Sequence, residues 1–200
     1  MDQSNGYEAI SAEWLAHRGN SAERSPAIGV DEVRRWARTL PPGSSVIDIG
    51  CGPGIPLTVV LVEEGLQVYG LDAAPSFVAA FERNLPGIPV TCASALQSDC
   101  FGREFDAVLA VGLIFLMTAD DQVRLLRKFA EILSPGGRLL FTSPSPPCTW
   151  IDQMTGLRSV SLGAEEYRKQ LASVGLAVMA EFEDSGENHY FEARKTATAL

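Results

Sequence analysis

Between residues 45 and 142 the chain switches repeatedly between two apolar patterns. Short, nearly continuous apolar runs fall at residues 45–50 (SVIDIG), 67–72 (QVYGLD), 88–92, 105–111 and 138–142. They read as strands. The run at 105–111 does not alternate with polar residues, as expected for a strand covered on both faces. Between the runs lie segments with helical spacing at 56–65, 75–84 and 120–133. In the last of these, Val123, Leu126, Phe129, Ala130 and Leu133 share one face. The motif SPGG at 134–137 reads as the turn into the next strand. Strand–helix alternation over short loops predicts a mostly parallel sheet with helices on both faces.

The flanks differ from this core. Residues 7–18 and 30–40 read as short amphipathic helices. The second carries Asp31 and Glu32 in its first turn, where the helix dipole favours negative charge, and stops at Pro41-Pro42-Gly43. Residues 164–174 read as a further helix. Residues 175–183 and 188–195 then read as two strands joined by the polar turn DSGE. So short a connection makes a hairpin, and the final strand is therefore antiparallel. The expected architecture is α/β: a Rossmann-like, doubly wound sheet of seven mostly parallel strands with an antiparallel last strand, in one domain.

The richest local signal is VIDIGCGPG at residues 46–54. Three glycines follow a strand directly, so a ligand can approach the backbone closely. A phosphate-binding P-loop needs GxxxxGK[ST], and this turn is too short and lacks the lysine. A dinucleotide fingerprint needs GxGxxG, and here the third glycine comes one residue early. Yet Asp72 ends the second strand, 22 residues after Gly50. A carboxylate there accepts hydrogen bonds from ribose hydroxyls, roughly 1.5–3 kcal/mol each. Asp48, two residues before the turn, repels a pyrophosphate and favours ammonium or sulfonium charge. Pro53 and Pro56 remove N–H donors that a phosphate would use. The residues point to a ligand with a ribose, a cationic portion and no phosphate, which S-adenosylmethionine satisfies. An ordinary tight strand–helix turn explains the glycines but neither Asp48 nor Asp72.

Composition narrows the partners. Hydrophobic residues are 46% of the 200, enough for a sizeable core. Against 25 acidic side chains stand 16 basic ones, a net charge of −9. That balance argues against nucleic acid as the main partner, since phosphate contacts need clustered Lys and Arg. The polar N-terminus lacks a signal-peptide layout, and the longest apolar run, 105–117, falls short of the ~20 residues that cross a bilayer. A soluble cytoplasmic protein with no membrane partner is expected, as a monomer or a homodimer. Cys51, Cys92, Cys100 and Cys148 show no CxxC pair and no metal-ligand spacing, so no metal is expected.

With VIDIGCGPG, then VYGLD, then LSPGGRLLFTSP at 133–144, the chain resembles the class I S-adenosylmethionine-dependent methyltransferases. That family has a seven-stranded sheet with its last strand antiparallel. The resemblance implies S-adenosylmethionine as cofactor and S-adenosylhomocysteine as its product. It implies that Asp48, Gly50, Cys51 and Gly52 line the methionine part, that Asp72 binds the ribose, and that Ala73 packs on the adenine. The segment ASAL at 93–96, with Ser94 and Ala95, flanks the adenine; many relatives carry an acid there, where this chain has Ala93 and Ser94. Val111 lies beside the methionine moiety. A helix with a tyrosine, here Tyr7, folds over the cofactor in many relatives. The chain then divides into an N-terminal helical cap (1–43), a cofactor-binding core (44–142), a substrate loop (143–162), and a helix with the terminal hairpin (163–200).

Methyl transfer is an in-line displacement, so positioning matters more than acid–base chemistry. Ligands of open parallel sheets bind beyond the C-terminal strand ends. Three segments are expected there. The loop at 143–162 brings Trp150 for substrate binding and Asp152 for binding or proton transfer. The hairpin turn at 184–190 brings His189 as a candidate base. The first helix brings Trp14 toward substrate, with Tyr7, His17 and Arg18. Each also has a structural reading: Asp152 as a turn cap, His189 as a hydrogen-bonder, Trp150 as an anchor, His17 as a solvated residue. The segment AVGLIF at 110–115 lacks the Asn/Asp-Pro-Pro-aromatic motif of amide methylation. Methyl transfer to a small molecule is the leading reading. The alternatives are an inactive S-adenosylmethionine-binding regulatory module, a dinucleotide-dependent oxidoreductase and an aminopropyl-type transferase.

Overall fold

The computed structural model describes residues 3–18 and 29–196, with the side chains of His17 and Arg18 outside the description. Its centre is a sheet in the order β3-β2-β1-β4-β5-β9-β8. The strands are β1 (Ser45–Ile49), β2 (Gln67–Asp72), β3 (Val90–Cys92), β4 (Phe105–Ala110), β5 (Leu133–Thr142), β8 (Leu176–Glu183) and β9 (His189–Lys195). The first five run parallel. β9 pairs antiparallel with both β5 and β8, so β8 runs with the first five and β9 alone is reversed. The expected fold class is thus the observed one.

Two helix layers explain why the central strands carry apolar residues at every position. Side chains of a strand point alternately to opposite faces. Ile47, Val108, Leu139, Phe141 and Phe191 pack with Leu125 and Phe129 of α5 (Ala119–Ile132) and Leu171 of α6 (Ala164–Ser173). Val46, Ala107, Leu109, Leu140 and Tyr190 pack on the other face. Their partners there are Val33 and Trp36 of α2 (Val30–Ala37) and Val60 and Leu61 of α3 (Leu57–Glu63). The remaining helices are α1 (Tyr7–Arg18) and α4 (Pro75–Asn84).

The structure differs from the pattern in two places. The SPGG segment is the first half of β5 rather than a turn outside it. Its four residues have no partner on β4: the register passes from Phe105↔Leu133 to Ala107↔Arg138, so SPGG is the extra length at an irregularity in the pairing. The segment at 143–162, read as a loop, holds an antiparallel ribbon of β6 (Cys148–Ile151) and β7 (Arg158–Ser161). Its inward positions opposite Trp150 and Cys148 are Ser159 and Ser161, both almost fully buried. A ribbon that turns serines inward shows no apolar alternation, which hid it.

Ser161 belongs to a buried polar knot that fixes the ribbon to the domain. The Tyr167 hydroxyl donates to Gln122 Oε1 at 2.6 Å, lies 2.8 Å from Ser143 Oγ, and accepts from the Leu162 N–H. Gln122 Nε2 donates to the carbonyls of Met117 and Val160. Ser161 Oγ donates to the Pro144 carbonyl. One buried cluster therefore ties the segments after β4 and β5 to the ribbon. Tyr167→Phe strands Gln122 Oε1 and Ser143 in the interior, a cost of about 1–3 kcal/mol. Thermal melting should show the variant several degrees below wild type, at about 2–4 °C per kcal/mol.

Candidate functional site

The C-terminal ends of β1, β2 and β4 converge on the glycine turn. The N–H groups of Gly50 and Cys51 both donate to the Leu71 carbonyl, at 2.7 and 3.2 Å, which folds the turn over the end of β2. The glycines serve different ends. At Gly54 (φ +79°) a Cβ would sit 2.6 Å from Leu85 Cδ1 and 2.9 Å from Phe81, so the third glycine lets α4 approach. At Gly52 (φ +54°) a Cβ would meet nothing within 4 Å. There the backbone faces open space, the condition for close approach of a ligand.

Two carboxylates flank the turn. Asp72 Oδ2 accepts from the Gly52 N–H at 2.8 Å and Oδ1 accepts from the Ala74 N–H at 2.8 Å. Asp72 thus joins the loops after β1 and β2. A carboxylate has about four lone-pair sites, so these bonds leave acceptor capacity for a hydroxyl group. Burial pushes its pKa up, against the pull of the Ala74, Gly52 and Ala73 N–H groups. Asp48 is 4% exposed and accepts from Thr58 Oγ1 at 2.6 Å. Loss of solvent pushes its carboxyl up to about 7; the Thr58 hydrogen bond opposes this and the Asp72 charge adds to it. Burial, with the Asp48 and Asp72 charges, drives the Cys51 thiol well above its usual range, so the turn cysteine is no nucleophile.

The N-terminal helix closes one side. Glu8 accepts from both the N–H (3.0 Å) and the hydroxyl (2.6 Å) of Ser76 in the first turn of α4. The Trp14 ring lies 4.9 Å and the Tyr7 ring 6.3 Å from that of Phe77. Tyr7 is therefore held beside the Asp72–Ala73–Ala74 loop. Trp14, expected at the substrate, has a packing partner on α4 that secures α1. Beyond β3, the Ala93 N–H donates to the Asp72 carbonyl. Ser94 Oγ accepts from the Leu96 N–H, while Ala95 turns into the core.

The segment after β4 closes the other side. Val111 is half-buried, and the Gly112 N–H donates to Thr142 Oγ1 at 2.8 Å. Leu113 covers the glycine turn: a Cβ on Gly50 would lie 3.2 Å from its side chain. Phe115 meets Trp150 of the ribbon, ring centroids 5.4 Å apart. The tip of the ribbon reaches the N-terminal segment, since a Cβ on Gly6 would lie 3.0 Å from Leu157 and 3.3 Å from Thr155. Trp150, Tyr7 and the glycine turn thus belong to one rim.

The two candidate bases are engaged by other partners. Asp152 Oδ1 accepts from the Met154 N–H, the Thr155 N–H and the Thr155 hydroxyl, which is a turn-capping role. His189 shares the sheet face of Phe191, against which its ring packs edge-on at 4.8 Å. Its Nε2 lies 3.0 Å from Glu181 and its Nδ1 3.5 Å from Glu183, and Glu181 is gripped in turn by Arg168. Both ring nitrogens face carboxylates of β8 rather than the glycine turn. The sequence reading also passed over Thr58, Glu8, Leu113 and Phe115. Thr58 had a signal, as the lone polar residue in the apolar stretch 55–62. Glu8 had none, because its partner lies 68 residues away.

Among the described residues no His/Cys/Asp/Glu cluster could hold a metal ion, and no helix is long and apolar enough to cross a membrane. An open groove of about 640 Å³ lies at the N-terminal ends of the central strands, between Pro42, Ser44, Asp106, Arg138 and Glu192. It is remote from the strand ends where parallel sheets take their ligands.

A family profile described as a methyltransferase domain matches residues 46–137. The aklanonic acid methyltransferase DauC of Streptomyces sp. (strain C5) is 38% identical over 110 residues, 51% of this chain and 49% of that one. The probable tRNA methyltransferase 9B of Mus musculus is 32% identical over 109 residues, 54% of this chain and 23% of that one. This chain thus spans about half the length of the first and under a quarter of the second. The magnesium protoporphyrin IX methyltransferase of Synechocystis PCC 6803, crystallised with S-adenosylhomocysteine, superposes with a TM-score of 0.77 at 19% identity, over 98% of this chain and 100% of that one. That likeness is one of fold. Taken with the motif and the reversed strand, these matches support a class I, Rossmann-like S-adenosylmethionine-dependent methyltransferase.

Proposed function

We propose that this protein binds S-adenosylmethionine over the glycine turn and transfers its methyl group to a small-molecule acceptor with an apolar, aromatic body. The observation that carries the reading is Asp72. Its carboxylate bridges the Gly52 and Ala74 N–H groups beside backbone that opens to solvent. Asp72 would accept from the ribose hydroxyls with its free lone pairs. Asp48 would supply the negative charge that favours the cationic end, with Gly50, Gly52, Cys51 and Val111 as its walls. Ala73 and Ser94 would flank the adenine, and Tyr7 would cover it. When bound, the cofactor supplies a methyl group already activated by its sulfonium.

The acceptor reading rests on the rim. Leu113, Phe115 and Trp150 line one side. Three of the large apolar side chains left most exposed, Ile151 (62%), Met154 (43%) and Leu157 (49%), lie on the ribbon just beyond. Such a surface suits a hydrophobic ring system. DauC, named for aklanonic acid, and the solved magnesium protoporphyrin IX enzyme are named for small-molecule acceptors. A nucleic-acid acceptor has less support here, because Arg34, Arg35, Arg38, Arg124, Arg138 and Arg168 are all paired with carboxylates. With Asp152 and His189 engaged, no general base is assigned among the described residues. The chain's contribution is to hold the acceptor in line, an effect worth roughly 7–11 kcal/mol.

Calorimetric titration with S-adenosylhomocysteine tests the reading. Wild type should bind. Asp72→Ala should weaken binding by more than about tenfold, the loss of charged hydrogen bonds of 1.5–3 kcal/mol each. A folded wild type that does not bind would overturn the proposal. A protein that binds yet methylates no member of an aromatic acceptor panel would favour the inactive binding module. In an active protein, Trp150→Ala should raise the acceptor KM and leave S-adenosylhomocysteine affinity unchanged.

The Asp48 charge should cost the folded protein stability. Its carboxyl sits near 7 in the fold against 3.8 outside it, so the native state holds the proton more tightly. The stability that goes with the protonated form is full below about pH 4 and is lost as pH rises through 7. The whole effect is on the order of 4 kcal/mol. Asp48→Asn removes the titration. Its melting temperature should gain on wild type by several degrees between pH 5 and pH 8, while S-adenosylhomocysteine binding is lost.

A further inference from the structure

We infer that Thr58 is a positioning residue for the cofactor's cationic end: its hydroxyl keeps the buried Asp48 carboxylate ionised and in place, and so makes cofactor affinity pH-dependent near neutrality. The inference rests on the binding reading above. Thr58 is 1% exposed and Asp48 is 4% exposed, so neither has water as an alternative partner. Thr58 stands in the first turn of α3, directly behind the glycine turn, and donates to Asp48 Oδ2 at 2.6 Å. That is a short, charge-assisted hydrogen bond, about twice as strong as a neutral one. It is the single side-chain donor found on Asp48 among the described residues.

The other groups around Asp48 work against its charge. On β2 its register partner is Gly70 and on β4 it is Leu109, and neither carries charge. Asp72, at the end of β2, is a second carboxylate whose charge disfavours ionisation of Asp48. Cys51, in the turn itself, carries a thiol whose own ionisation Asp48 opposes. Among the described residues no cationic side chain is paired with Asp48 or Cys51. Burial is the largest influence and pushes the Asp48 carboxyl up to about 7, with Asp72 adding to it and Thr58 opposing it. An incoming ammonium or sulfonium group stabilises the anion, so binding near pH 7 releases a proton and weakens as pH falls.

Removing the Thr58 hydroxyl shifts that balance without touching the surface that meets the cofactor. Val has nearly the shape of Thr and no donor, while Ser keeps the donor. The experiment is S-adenosylhomocysteine titration of wild type, Thr58→Val and Thr58→Ser at pH 6, 7 and 8.5, with circular dichroism as the folding control. Thr58→Val should bind roughly fivefold more weakly than wild type at pH 7, because a one-unit rise takes the ionised fraction from about one half to about one eleventh, and near wild-type affinity at pH 8.5. Thr58→Ser should restore the wild-type profile. Equal affinity at every pH, or a loss that does not change with pH, would overturn the inference while leaving the cofactor reading intact. A wild type that does not bind at all would overturn the cofactor reading. The inference about Asp48 is then decided without ligand, by NMR titration of protein labelled at the Asp carboxyl carbon. A Thr58→Val variant in which the Asp48 midpoint does not rise would overturn it.

Discussion

The site hangs on one carboxylate. Asp72 ends β2 and takes the N–H of Gly52 from the turn after β1 and the N–H of Ala74 from the loop before α4. Neither loop has a sheet partner of its own at these N–H groups. Without the carboxylate the open glycine turn would be a flexible stretch with an unsatisfied donor. With it, the two loops form a rigid corner, and the segments that complete the rim attach to that corner. α1 docks on α4 through Glu8 and Ser76, and Leu113 lies over Gly50. On the proposed function, the residue that would meet the ribose is also the one that assembles this corner.

Asp48 shows the opposite economy. It is sunk behind the turn, and its charge is favoured by one hydroxyl and opposed by burial and by Asp72. An apolar residue there would fold more readily, since a buried carboxylate destabilises the native state wherever it is ionised. Strain of this kind collects at functional sites because the ligand, not the fold, completes the interaction. The pair of acids beside an open turn is thus a better marker of a cationic ligand than either acid alone. It also explains why the glycines by themselves left a dinucleotide possible.

Local rules made most of the fold legible. The central strands announced themselves because both sheet faces are covered, so Val46 and Ile47, or Leu139 and Leu140, are apolar for different helix layers. The reversed β9 followed from a turn too short for a crossover. What could not be read was whatever depends on distant partners. The β6–β7 ribbon is held by Ser143, Ser161, Tyr167 and Gln122, polar residues whose burial no periodicity reveals. His189 and Asp152 looked available because a sequence does not show that Glu181, Glu183 or the Thr155 turn is waiting for them. Residue type marked the candidates, and only the fold showed which were already engaged.

This division bears on how acceptor choice arises in the family. The corner built by Asp48, the glycine turn and Asp72 lies within the matched stretch at 46–137. The aromatic contact of Phe115 with Trp150 joins that stretch to the ribbon outside it. The ribbon is tied down by a polar knot at its base, while its tip exposes Ile151, Met154 and Leu157. A rigid base with a variable apolar tip allows the outer wall to change without moving the corner. On the proposed function, acceptor specificity would belong to the ribbon and cofactor recognition to the corner, so that one could change without disturbing the other.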